Sequence, residues 1–106
     1  MILFQLYFEV AEQKRAAFER AYAEVFAPAL RKQVGFQSAK FLRLYGTAES
    51  SEIAAAPTEF NYQVNFEFDS EANRRRWSVS SDHDAAWPNL SAIAQKAVWR
   101  GYEVIG

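Results

Sequence analysis

Phe66-Glu67-Phe68-Asp69-Ser70-Glu71-Ala72-Asn73-Arg74-Arg75-Arg76-Trp77-Ser78-Val79-Ser80-Ser81-Asp82-His83-Asp84-Ala85-Ala86-Trp87 is the stretch that decides how this 106-residue chain is read. Phe66 and Phe68 end a run in which apolar and polar residues alternate, the two-residue period of a half-buried strand. Asp69 or Ser70 supplies a capping side chain, so the chain is expected to turn there into a helix of roughly Glu71 to Ser78 that ends just past Trp77. Ser81 to Asp84 has the Ser-x-x-Asp form of a capping box and predicts a second helix. That helix carries the only histidine, His83, one turn before Trp87.

Working outward, Phe60, Tyr62, Val64, Phe66 and Phe68 alternate with Asn61, Gln63, Asn65 and Glu67, the clearest strand in the chain. Ile2 to Val10 alternates in the same way. From Ala11 to about Lys32 the period becomes helical, with Phe18, Ala21, Tyr22, Val25 and Ala29 in one stripe. Pro28 lacks an amide hydrogen, which predicts a break near Phe26. Gly35 suits a helix C-terminus, Phe36 to Tyr45 reads as a strand closed by Gly46, and Thr47 to Thr58 reads as a loop. Pro88 and Asn89 are expected to interrupt the second helix of the opening stretch, and Ala97 to Ile105 to form the last strand.

The order β-α-β-β-α-β is that of a single ferredoxin-like α+β domain over 1–106, with both helices on one face of an antiparallel sheet. Leu3, Tyr7, Phe41 and Trp99 are expected to leave the other face apolar. Two protomers packed sheet to sheet would cover it, so a homodimer is expected.

Hydrophobic residues make up 50% of the chain and aromatics 16%, more aromatic surface than so small a core needs. The surplus points to an interface or a ligand pocket. Twelve basic and thirteen acidic side chains leave a net charge of -1, too little field to hold nucleic acid or an anionic membrane. With no cysteine and one histidine, thiolate, iron–sulfur and multi-histidine metal chemistry are excluded, and no metal or cofactor is expected. The apolar start Met1-Ile2-Leu3-Phe4 is interrupted by Gln5 and Glu9 and is not read as a signal peptide. A cytoplasmic location is expected.

The succession of a strand, Asp69-Ser70-Glu71-Ala72, Trp77 and Ser81-Asp82-His83, with Pro28-Ala29-Leu30 and Gly35-Phe36 upstream, resembles the antibiotic-biosynthesis-monooxygenase-like family. That resemblance implies a dimeric α+β barrel of eight strands, with a pocket between sheet and helices in each protomer. It also implies activities ranging from cofactor-free oxidation of polycyclic phenols to haem degradation. The haem-degrading branch places an axial His ten residues after the helix Trp, where this chain has Trp87, so haem degradation is disfavoured. The phenol-oxidising branch uses Asn, Trp and Tyr near the end of the third strand, whereas Phe68 stands where a Trp is frequent.

The leading expectation is a cofactor-independent monooxygenase acting on a small aromatic or polyketide-like compound. The alternative is a non-catalytic dimeric barrel that binds a small hydrophobic molecule or serves in a stress response. The candidate catalytic residues are His83 as base or anion partner, with Tyr7 and Asn65 as hydrogen-bonding groups. Trp77, Trp87 and Tyr62 are the candidate substrate-binding walls. Each also has a plain reading: His83 fills the first turn of a capped helix, the aromatics fill the core, and Asn65 belongs to a hydrogen-bonded polar row. Arg74, Arg75 and Arg76 span about 200° of a helix and read as a solvated face.

Overall fold

The computed structural model describes every residue from Met1 to Gly106. Four strands, β1 (Ile2–Glu9), β2 (Phe36–Arg43), β3 (Tyr62–Phe68) and β4 (Lys96–Glu103), form one sheet in the order β2-β3-β1-β4 with antiparallel neighbours. This is the expected ferredoxin-like α+β arrangement. Leu6 and Phe8 of β1 and Tyr62, Val64, Phe66 and Phe68 of β3 point to the helical side and are buried. There they join Phe18, Tyr22, Phe26, Leu30, Trp77, Ala86 and Leu90 in one core without a buried polar side chain.

The first helical run is continuous where a break was expected. A 3-10 turn at Glu12–Lys14 leads into α1 (Arg15–Ala21), a π-helical turn at Tyr22–Phe26, and α2 (Ala27–Arg31). The wider π turn, in which the amide of Ala27 donates to the carbonyl of Tyr22, seats Pro28 in the first turn of α2. A missing amide hydrogen costs least there. A short helix, α3 (Thr47–Glu52), occupies part of the segment expected to be a loop.

After β3, Ser70 caps α4 (Glu71–Ser78) by accepting the amide hydrogen of Asn73 at 3.2 Å. The cap of α5 (Ser81–Ser91) is Ser80 rather than Ser81, its Oγ accepting the amide hydrogen of His83 at 3.1 Å. Pro88 lies inside α5 without ending it.

Two residues expected on the bare sheet face lie on the other side. A bulge between Phe36 and Ser38 inserts Gln37, so Phe36, Ala39 and Phe41 all face the helices. One extra residue flips every side chain after it. Phe41 accordingly stacks on Tyr22, with ring centroids 4.3 Å apart. Trp99 is opposite Leu6 in the β1–β4 register and shares its face. The uncovered face is therefore mixed: Leu3, Tyr7, Leu42, Val98 and Tyr102 are interspersed with Gln5, Gln63, Asn65, Glu67, Lys40 and Arg100.

Candidate functional site

A cavity of about 220 Å³ opens between the sheet and helices α4 and α5. Phe4, Leu6 and Phe66 form its sheet wall, and Phe26 enters from the π turn. Helix α4 contributes Arg74, Trp77 and Ser78, α5 contributes His83 and Trp87, and Trp99 stands at the β4 rim. All three tryptophans of the chain therefore line it. Trp77 is buried, whereas Trp99 is 55% exposed and marks the open side. Opposite Phe4, a side chain on Gly101 would put its Cβ 3.1 Å from the Phe4 ring. Glycine there lets that ring lie against β4.

His83 is wedged between two indoles. Its ring meets Trp77 edge-on at 5.0 Å and lies 12° from parallel to Trp87 at 6.3 Å. Its Nδ1 is buried and has no hydrogen-bond partner. The nearest carboxylate oxygen, Oδ1 of Asp84, is 3.8 Å away, beyond hydrogen-bond range. The side chain retains 26% exposure and lines the cavity.

The structure brings together His83, Trp77 and Trp87 and separates them from the other candidates. Tyr7 and Asn65 sit on the uncovered face of the sheet, the wrong side for this cavity, because β1 and β3 alternate and their neighbours Leu6 and Phe66 face it. There the Tyr7 hydroxyl donates to Gln5, and Asn65 accepts from Gln63 at 2.7 Å. Burial, followed by the charge of a Tyr102 phenolate, pushes the Tyr7 phenol above its ordinary range. Tyr62 faces the helices but at the α1 end, where its hydroxyl donates to Glu19 at 2.5 Å and accepts from Arg15 at 3.1 Å. That phenol hydrogen bond, ahead of the Arg43 charge, holds the Glu19 carboxyl below the usual range. Asn61, read as part of a polar row, instead pairs through its side chain with both backbone groups of Val10.

Arg74 was hidden in the arginine triplet. Its side chain is only 19% exposed, and its Cζ lies 5.3 Å above the Phe4 ring. The signal was available in the spacing: Trp77 at i+3 and Ser78 at i+4 share a helix face with Arg74, whereas Arg75 and Arg76 diverge from it. Nε and Nη2 of Arg74 both donate to Glu71, leaving Nη1 without a protein acceptor. Glu71 also accepts from Nε of Arg75 at 3.3 Å. The Arg74 hydrogen bond, with both guanidinium charges, depresses the Glu71 carboxyl.

No cluster of three or more His, Cys, Asp or Glu side chains is placed to hold a metal ion. No helix is long and apolar enough to cross a membrane.

Solved structures with this architecture are numerous. SnoaB, a cofactor-independent oxygenase from Streptomyces nogalater solved as an Asn-to-Ala variant, superposes with a TM-score of 0.76 at 17% identity, over 97% of this chain and 91% of that one. A dimeric ferredoxin-like protein of unknown function from Jannaschia gives 0.74 at 17%, over 98% and 100%. An Arg-to-Ser variant of MhuD with two manganese protoporphyrin IX molecules bound per active site gives 0.74 at 20%, over 99% and 95%. The chain shares their ferredoxin-like fold. Identities this low establish the fold alone, and the fold does not select among activities. No family model matches the sequence, and no curated protein matches it.

Proposed function

We propose that the chain is a member of the antibiotic-biosynthesis-monooxygenase-like family and acts, as a homodimer, as a cofactor-independent oxygenase on a small aromatic phenol or enol. The observation that carries this reading is His83 on the cavity wall between Trp77 and Trp87, with its Nδ1 buried and without a hydrogen-bond partner. In this reading the His83 imidazole is the base that takes the proton of a substrate hydroxyl. Phe66, Trp77 and Trp87 exclude water around the resulting anion, which raises its electron-donating power. Dioxygen is the oxidant. One of its atoms bonds to the electron-rich ring carbon and stays as a carbonyl, the other leaves as water, and the substrate supplies all four electrons. The protein's part is to bind, to deprotonate and to keep the reacting pair dry.

A porphyrin suits these residues less well. Trp87 stands where the resemblance places an axial ligand, and the His83 ring is enclosed between Trp77 and Trp87.

Oxygen uptake with a panel of anthrones and naphthols tests the proposal. Replacing His83 with Ala is expected to lower turnover by about two orders of magnitude with the fold retained by circular dichroism. Equal turnover in the folded variant, or none with the whole panel, would leave the non-catalytic ligand-binding barrel as the better account.

A further inference from the structure

We propose that the cavity selects an aromatic acid, with the carboxylate of the ligand held by Arg74. This deepens the reading above by naming a second polar group on the substrate, set apart from the hydroxyl that His83 would deprotonate.

Three observations support it. First, Arg74 is the only cationic side chain lining the cavity, on the same wall as Trp77 and Ser78. A guanidinium beside an apolar cavity is costly unless something pairs with it once the ligand has displaced water. Second, its hydrogen bonding is incomplete on one side. Glu71 takes Nε and Nη2, and Nη1 has no acceptor in the protein. Third, the local charge does not cancel. Glu71 is shared by Arg74 and Arg75, so two guanidinium groups meet one carboxylate and leave one positive charge over. A neutral ligand would leave that charge unmet, whereas a carboxylate would balance it and accept a charge-assisted hydrogen bond from Nη1. The guanidinium lies 5.3 Å over the Phe4 ring, so a ring acid lying along Phe4 and Phe66 would bring its carboxylate within reach of Arg74.

The test compares 2-naphthoate with its neutral isostere 2-naphthamide by equilibrium dialysis, with quenching of the three cavity tryptophans as a second readout. The wild-type protein is expected to prefer the acid by about tenfold or more, the scale of one charge-assisted hydrogen bond. Arg74→Gln is expected to abolish the preference, with the loss of affinity falling mainly on the acid, since the apolar walls that hold both rings are untouched. Glu71→Gln, which frees the remaining donors of Arg74, is expected to keep or increase it. Equal affinities in the wild type, a preference that survives Arg74→Gln, or no binding of either probe would overturn the inference. Failure here is separable from failure of the oxygenase reading. Arg74-dependent acid binding without oxygen uptake sinks the chemistry alone, and His83-dependent uptake without acid preference sinks the anion site alone.

Discussion

Ser80 does two jobs with one oxygen: its hydroxyl donates to the carbonyl of Trp77 at 2.7 Å and accepts the amide of His83 at 3.1 Å. The cap thereby sets the spacing between a tryptophan and the histidine of one cavity. Ser80→Ala is expected to cost about 1 kcal/mol, read from urea midpoints, and to loosen the Trp77–His83 contact. Gly35 is equally constrained, at φ 84° with Asn73 Nδ2 and Asp69 Oδ1 each 2.5 Å from where a Cβ would sit. Gly35→Ala is expected to destabilise by about 2 kcal/mol or more, combining a left-handed backbone with a clash. An unchanged denaturation midpoint would contradict this. At this scale the sequence grouped His83, Trp77 and Trp87 by helical spacing, and they do line one cavity. It concealed Arg74, whose burial depends on which of three neighbouring arginines shares the Trp77 face. Tyr7, Asn65 and Tyr62, named with them, lie away from that cavity, the first two on the uncovered face of the sheet and Tyr62 at the α1 end.

Among the elements, alternation made β1 and β3 legible to within two residues, Ile2–Glu9 against an expected Ile2–Val10 and Tyr62–Phe68 against an expected start at Phe60. The faces of β2 and β4 were not. In β2 a bulge of one residue reversed Phe41, and in β4 both sides carry apolar groups, so only the register with β1 decides where Trp99 points. The π turn before Pro28 was likewise invisible, because the apolar stripe reads the same whether the turn is α or π. Just past the end of α2, a polar contact adds to the apolar packing against α5: Asp82 accepts from Gln33 at 2.9 Å and pairs with Lys32 at 3.4 Å. The Gln33 hydrogen bond and then the Lys32 ammonium hold the Asp82 carboxyl below its ordinary value of 3.8. A depressed folded value means the ionised form favours folding, so this contribution is complete above the ordinary value and disappears as pH falls through the folded one. Glu19 and Glu71 act in the same direction. Stability is expected to fall on acidification below about pH 4, and Asp82→Asn to flatten part of that fall. Denaturant midpoints measured from pH 6 down to pH 3 would show it. A slope identical in wild type and variant would remove Asp82 from the account.

For the whole molecule, the helices cover only one side of a four-stranded sheet, and the other side is left with Leu42, Val98 and Tyr102 exposed. A sheet with one open face is stable in water when that face is polar, and this one is divided. Its polar groups partly satisfy one another, through Tyr7 to Gln5, Gln63 to Asn65, and Ser38 to Glu67 at 3.1 Å. They can therefore be buried against a second copy without leaving many unpaired groups. Arg100, whose Cζ lies 5.8 Å over the Tyr7 ring, and Tyr102 make the β1–β4 half of the face the more adhesive. A mixed surface of this kind suits a two-fold pairing of sheets. The chain is expected to run as a dimer of about twice its 12.1 kDa mass in light scattering at micromolar concentration. Tyr102→Glu and Val98→Asp, each placing a carboxylate opposite the partner's sheet, are expected to raise the dimer dissociation constant by at least about tenfold. Trp99→Glu changes the cavity rim on the other face, so it is expected to impair aromatic binding and leave the dimer in place. A monomeric wild type, or a dimer broken by Trp99→Glu and untouched by Tyr102→Glu, would assign the interface to a different surface.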